Sequence, residues 1–289
     1  MHFLEVKNLT HNYTVAGKTS YPAINNISFS LDRGEILGII GHTGSGKSTL
    51  VSHLNGLIKP DSGQILLDGA DIWEKPKEIS KIRSRIGLVF QYPEYQLFED
   101  TVYADIAYGP KNMGLSDEEI NERIKLASQL LGIKTDLFEK SPFDLSGGQK
   151  RRVAIAGIIA MEPEIIVFDE PTAGLDPIGR QAIFKAIREY REKKNASVII
   201  VSHSMEDMAA ICDNVLVLNK GHVYDYGSAN EIFTKAESLN RIGLNAPMIA
   251  DVFKILNQKY GYNFKNVITV DEAVDMLIPL IKKEVSSDD

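Results

Sequence analysis

Two kinds of apolar pattern alternate along this chain. Near its start, apolar and polar residues alternate over parts of FLEVKNLTHNY (3–13) and INNISFSL (24–31), as at Leu4 and Val6 and at Ile27, Phe29 and Leu31, the pattern of strands with one buried face. The stretch between them, TVAGKTSYPA (14–23), is rich in Gly, Thr, Ser and Pro and is predicted as a loop. Later runs such as EILGII (35–40), RIGLVF (85–90), EIIVF (164–168) and SVIIV (197–201) are apolar almost throughout, as strands covered on both faces are. GQILLDG (63–69) is a further strand bounded by turn residues.

Helical patterns fall between these strands. One runs from about Lys47 to Leu57, a mainly helical region spans about 100–160, and IGRQAIFKAIREYREKK (178–194) is amphipathic. Ser116 is placed to N-cap a helix, with Glu119 completing a capping box. Strands alternating with helices predict a largely parallel, doubly wound α/β sheet, with 100–160 set to one side as a helical subdomain. VLVLNKGHVYDYG (215–227) reads as a hairpin turning at Lys220–Gly221, and two helical stretches, 246–260 and 269–284, follow. The expected organisation is a main domain over 1–224 and a helical appendage over 225–289.

Composition narrows the picture. The 289 residues are 44% hydrophobic and 25% charged, which is enough apolar material for a full core. The formal charge of −7 argues against a broad nucleic-acid footprint, where basic excess is expected. The one cysteine, Cys212, excludes a disulfide framework and is expected as buried packing near a helix end. No signal-peptide pattern opens the chain, and its apolar runs have strand length, far short of a spanning helix. A cytosolic chain is expected, reaching a membrane only through partners.

Chemistry enters at GHTGSGKST: Gly41, His42, Thr43, Gly44, Ser45, Gly46, Lys47, Ser48 and Thr49. Its first eight residues match G-x-x-x-x-G-K-[ST] between a predicted strand and helix, the context a phosphate cradle requires. Lys47 is expected to reach the β- and γ-phosphates of a nucleotide and Ser48 to bind Mg²⁺. The strand 164–168 delivers Asp169 and Glu170 at its carboxyl end: Asp169 to hold Mg²⁺, Glu170 to polarise the attacking water as general base. His203 follows another strand and can position that water. Gln91 follows a third and can sense the metal or the water.

A second anion-binding turn, DLSGGQKRRVAIA (144–156), lies about a hundred residues downstream. With the helical region projecting sideways, one chain does not wrap both turns around one γ-phosphate. Two chains set head to tail do, each capping the nucleotide in the other's cradle.

These residues together resemble the ATP-binding-cassette (ABC) ATPases. Gly41 to Ser48 matches their Walker A, Gln91 the Q-loop, and Leu145 to Gln149 the signature. Asp169 and Glu170 match Walker B with its base, Gly174 to Asp176 the D-loop, and His203 the switch histidine. The resemblance implies a P-loop NTPase fold of ABC type, with an antiparallel β subdomain, a helical signature subdomain and a small C-terminal helical appendage. It implies ATP and Mg²⁺ as ligands, nucleotide contacts from Ser146, Gly147, Gly148, Gln149 and Asp176, and Tyr13 as the aromatic that stacks on adenine.

Within that family, QYPEYQLF (91–98) resembles the Q-loop of energy-coupling-factor (ECF) ATPases, and AGLDP, the 14–23 segment and the C-terminal helices agree. This implies an importer of vitamins or transition-metal ions. Its partners would be a second ABC ATPase, paralogous or identical, a membrane coupling protein and a substrate-binding membrane protein, at the cytoplasmic face of the membrane and without nucleic acid. The appendage is then a dimerisation element. The aromatics Tyr92, Tyr95, Phe98, Tyr103 and Tyr108 are expected to form a dock for another protein. Three alternatives stay open on the residues alone: an ATPase acting on ribosomes or DNA, a small-molecule kinase, and a silent binding subunit.

Overall fold

The computed structural model describes residues 2–15, 19–265 and 267–285. The alternating N-terminal segments form a hairpin, β1 (Leu4–Val15) and β2 (Thr19–Leu31). The hairpin is longer than its composition suggests. Of the expected loop 14–23, Thr14, Val15 and Thr19 to Ala23 are strand, with Tyr13 opposite Tyr21 and Val15 opposite Thr19; residues 16–18 lie outside the described residues. Continued pairing with β1 overrides the turn-forming composition, and Pro22 is tolerated because β2 is an edge strand.

β3 (Ile36–Ile40) leads to α1 (Lys47–Leu54), and β4 (Ser62–Leu67) and β5 (Ala70–Asp71) complete a four-stranded sheet in the order β2-β1-β4-β5. α2 (Ile79–Arg85) runs directly into β6 (Ile86–Val89). The helical region follows as α3 (Val102–Asn112), α4 (Asp117–Leu131) and α5 (Gly147–Ile159). β7 (Ile165–Asp169), α6 (Pro177–Lys194), β8 (Ser197–Val201), α7 (Met205–Ile211) and β9 (Asn214–Asn219) restore the α/β alternation. β10 (His222–Ser228) folds back antiparallel on β9 across the expected turn.

The six-stranded sheet has the order β10-β9-β3-β8-β7-β6, parallel from β9 to β6. Side chains alternate between two buried faces. Leu37, Ile39, Val167 and Ile199 point to the layer containing α1 and the β1–β4 sheet, where they meet Leu4, Ile27, Leu50 and Leu54. Ile36, Ile40, Phe168 and Ile200 point to the opposite layer, with Val153 of α5 and Ile183 and Ile187 of α6. Burial on both faces is what the uninterrupted apolar runs require. Cys212 closes α7 in the second layer, buried, and burial pushes its thiol pKa up. A Cβ on Gly38 would stand 2.8 Å from its sulfur, so the strand needs glycine there.

Ser116 and Glu119 form the expected capping box at α4. Two more, Ser146–Gln149 at α5 and Ser228–Glu231 at α8 (Ala229–Thr234), carry the same S-x-x-E/Q spacing. The domain border expected at 225 falls inside β10, which pairs with β9 as far as Ser228. Ile232 and Phe233 of α8, Leu239 of α9 (Ala236–Arg241), Leu244 and Ala246 all join the main core. Only α10 (Met248–Tyr260) and α11 (Val270–Val285) gather around a separate small core of Phe253, Val267 and Ala273.

Tyr190 of α6 is 1% exposed, and its hydroxyl donates to the Pro163 carbonyl at 2.8 Å. Tyr190→Phe leaves that buried carbonyl unpaired and is expected to cost about 1–2 kcal/mol. Urea unfolding measures this as a lowered midpoint at constant m.

Candidate nucleotide-binding site

β3, β6, β7 and β8 are parallel neighbours in one sheet region, so their carboxyl ends open at one edge. That edge is where open α/β sheets place ligands. From β3 the chain passes through the glycine loop into α1. Gly46 holds φ at +102°, and a Cβ there would lie 2.6 Å from the Ala23 carbonyl oxygen; Gly44 holds φ at +79°. Gly46 is the N-cap of α1 and offers no capping side chain, so the first-turn N–H groups remain available to an anion. Lys47 is buried, and its Nζ donates to the Gly41 and His42 carbonyls at 2.6 and 2.9 Å. Burial lowers its pKa, while Glu170 and Asp169 hold the charge in place.

β7 delivers the two acids. Asp169 is half-buried; burial raises its carboxyl pKa, and Lys47 and His203 oppose the shift. Glu170 turns out of the strand with φ at +53°, a conformation that costs free energy in a non-glycine residue. Its N–H donates to the Val201 carbonyl at 2.9 Å, which clamps the end of β7 to β8. Its side chain is buried, and burial pushes the carboxyl up to about 7. His203 Nε2 stands 3.1 Å from Glu170 Oε1, and burial lowers the imidazole pKa.

A cavity of about 470 Å³ is lined by Thr43, Gly44, Gly46, Lys47, Ser48, Thr49, Gln91, Asp169, Glu170 and His203, with Ala23 behind them. Ten sequence-predicted residues, drawn from four strand ends, thus meet in one place. The Ser48 hydroxyl, the Gln91 amide and the Asp169 carboxyl supply the oxygen donors a hard divalent cation takes. Tyr13 stands beside the cavity: its hydroxyl is 3.4 Å from Thr49 Oγ1, and His11 meets its ring edge-on at 4.8 Å. Gly41 and Ser45 are buried under the loop. His42 turns aside, its Nε2 hydrogen-bonded to the Ile242 carbonyl.

The remaining predicted residues lie elsewhere. Ser146 caps α5: its Oγ accepts the Gln149 N–H at 3.4 Å, and Gln149 Oε1 accepts the Ser146 N–H at 3.0 Å. Ser146 and Gly147 are exposed. Gly148 borders a second cavity of about 340 Å³ with Gly174 and Asp176, which shares no lining residue with the first. Asp176 N-caps α6, accepting the Gly179 N–H at 2.6 Å. Sequence reading passed over Arg151, which bridges the loops behind the first cavity. The available signal was a charged residue in helical register with the apolar Ile155 and Ile159.

Of the five aromatics expected to form a dock, Tyr92, Tyr95, Phe98 and Tyr108 are exposed. Tyr103 instead packs against the core and donates to Asn121 Oδ1 at 2.8 Å. Its place on the inner side of α3 removes it from the patch. Phe98 and Tyr108 meet edge to face and line a shallow cavity with Val153, Gly157 and Met161.

Residues 24–173 match the ABC transporter family. The energy-coupling factor transporter ATP-binding protein EcfA2 of Clostridium tetani is 46% identical over 98% of this chain and 99% of its own length. The protein of the same name from Caldanaerobacter subterraneus is 48% identical over 96% of this chain and 98% of its own. Among solved structures, cbiO1 from Clostridium perfringens, described as part of the ABC transporter complex cbiONQ, aligns with a TM-score of 0.74 and 40% identity. That alignment spans 88% of this chain and 99% of cbiO1. The ATP-binding cassette MJ0796, a dimer in a post-hydrolysis state bound to ADP and Pi, aligns at 0.70 with 28% identity, over 78% of this chain and 98% of that one.

The folded chain holds the Glu170 carboxyl at about 7, whereas the unfolded chain ionises it at about 4.3. Wild type therefore loses stability as pH rises between those values and bears the whole penalty above them. Glu170→Gln is expected to melt higher than wild type at about pH 8, with the difference closing below about pH 5. Paired thermal melts across that range provide the measurement.

Proposed function

We propose, for a chain that belongs to the ABC transporter family and within it to the energy-coupling-factor transporter ATP-binding proteins, that it is one half of a two-subunit ATP sandwich driving import of a vitamin or transition-metal ion. The family hydrolyses ATP in coupling to transport. The finer reading starts from the cradle, where N–H groups of the glycine loop and the start of α1 hold the phosphates and Lys47 neutralises their outer oxygens. Ser48, Asp169 and Gln91 would hold Mg²⁺, which would supply positive charge against that of the phosphates. Tyr13 stacks on the adenine.

Glu170 accepts the proton of the attacking water. A pKa pushed up to about 7 suits a base that works near neutrality, since proton transfer is best driven when the pKa lies near the working pH. His203, 3.1 Å away, orients the carboxyl and the water. The observation that carries the two-chain reading is the separation of the cavities. In this chain the exposed Ser146–Gly147 turn and Asp176 share no lining with the cradle, so a second chain supplies its own turn to complete the site.

Closure then moves the exposed Tyr92, Tyr95, Phe98 and Tyr108 together with the membrane coupling protein docked on them. Among the described residues no helix is long and apolar enough to cross a membrane, so membrane attachment at the cytoplasmic face comes from those partners. The exposed Met248, Val252 and Ile255 of α10 and Val270 and Val274 of α11 support a second, C-terminal contact between the ATPase subunits. The substrate-binding membrane protein, not this chain, meets the cargo.

Glu170→Gln is expected to bind Mg·ATP but lose about 10²-fold or more of the turnover and to accumulate as a closed dimer with its companion ATPase. Lys47→Ala loses nucleotide binding. Nucleotide titration, phosphate release and light scattering report these outcomes, and wild-type turnover in Glu170→Gln would reject this residue as the base. Affinity purification from membranes is expected to bring down a second ATPase and two membrane proteins.

A further inference from the structure

The first turn of α5 carries the exposed Ser146–Gly147 turn at one end and a buried cation at the other. Arg151 is 4% exposed, on the stripe shared with Ile155 and Ile159. Burying a guanidinium is costly unless its N–H groups are used. Nη1 donates to the Ala173 carbonyl at 2.6 Å, and Nη2 donates to the Gln91 and Glu170 carbonyls at 2.9 and 3.0 Å. All three acceptors are main-chain groups on two loops of the centre, Glu170 and Ala173 belonging to the same one. Gln91 follows β6, Glu170 follows β7, and Ala173 precedes the Gly174–Asp176 turn beside the second cavity.

One side chain therefore joins the signature helix to the loops that carry the proposed metal ligand and the proposed base. The main chain of Glu170 is a sensitive place to hold, because its left-handed conformation is maintained by contacts outside the residue. Arg151 lies four residues, about one helical turn, beyond Gly147, so a shift of the exposed turn moves the guanidinium as well. Only a planar fork reaches three carbonyls in different directions; a lysine offers a single point of charge.

We propose that Arg151 is a positioning residue that passes the engagement of this chain's signature turn with the partner's nucleotide to this chain's own Glu170, so that the two composite sites hydrolyse ATP cooperatively. The inference rests on the two-chain reading above. A device that only braced the fold would need no connection to both the Gln91 and Glu170 main chains. Here those are the points that would misalign if α5 shifted.

The test uses the full-length chain with its companion ATPase, carrying Arg151→Lys and, separately, Arg151→Met. Expected for the folded Lys variant are a kcat about 10- to 100-fold lower, the scale of a slightly misplaced catalytic group. Its KM for ATP stays within about twofold, and the Hill coefficient drops from above 1 to roughly 1. Arg151→Lys combined with Glu170→Gln should still form the Mg·ATP dimer. Unchanged kcat and Hill coefficient in Arg151→Lys would overturn the link, as would a wild-type pair without cooperativity. A Lys variant that fails to fold, or activity that merely tracks the folded fraction in thermal melts of either variant, makes Arg151 a strut and also overturns it. If Glu170→Gln alone forms no Mg·ATP dimer, the two-chain reading has failed instead; dimerisation with unaltered cooperativity in Arg151→Lys removes only the Arg151 link.

Discussion

One buried ammonium, Lys47 at the start of α1, faces two carboxyls, Asp169 and Glu170, where β7 ends, and the rest of the site depends on that balance. Burial disfavours the charge on all three; the ammonium and the carboxyls attract one another and His203 adds to the opposition at both acids, while Asp169 repels the charge on Glu170. Such a cluster survives only where rigid elements hold the groups in place. The central sheet, apolar on both faces, provides that rigidity, and its parallel strands bring every one of these groups to one edge. A negatively charged ligand with a divalent cation fits a corner so arranged, because it adds the opposite charges that both the ammonium and the carboxyls lack.

The same sheet also sets a limit. The helices that follow β6 carry the Ser146–Gly147 turn away from the cradle, and Gly148 next to it lines a different cavity. A glycine turn with open N–H groups has obvious anion-binding chemistry, yet in its own chain it faces no anion site. The proposed pairing of two chains would reconcile the chemistry with the geometry, and it would tie hydrolysis to relative motion of the halves. In that proposal the exposed aromatic residues Tyr92, Tyr95, Phe98 and Tyr108 would transmit such motion.

Legibility in the sequence varied with the range of the interactions involved. Strand ends, the glycine loop, the Asp169–Glu170 pair and the Ser116 cap are local arrangements, and each reads directly from residue type and spacing. The hairpin over 14–23 was misread because its composition favours a turn while cross-strand pairing with β1 favours extension, and pairing is non-local. The border at 225 was misplaced for a related reason: β10 belongs to the sheet through β9, a partner that the local pattern identifies without showing where the pairing stops. Tyr103 looked like its aromatic neighbours, but helix rotation in α3 turned it inward.

Residue order alone determined the α/β alternation, the phosphate-cradle chemistry and the set of residues able to act on a nucleotide, because each follows from contacts within a few positions. The tertiary structure alone decided which of those residues share a cavity, that the second glycine turn is held apart from the first, and that Arg151 ties the loops after β6 and β7 to α5. The last of these depends on main-chain carbonyls 19 and 60 positions from Arg151 meeting at its guanidinium, and no short-range pattern encodes a distance of that kind.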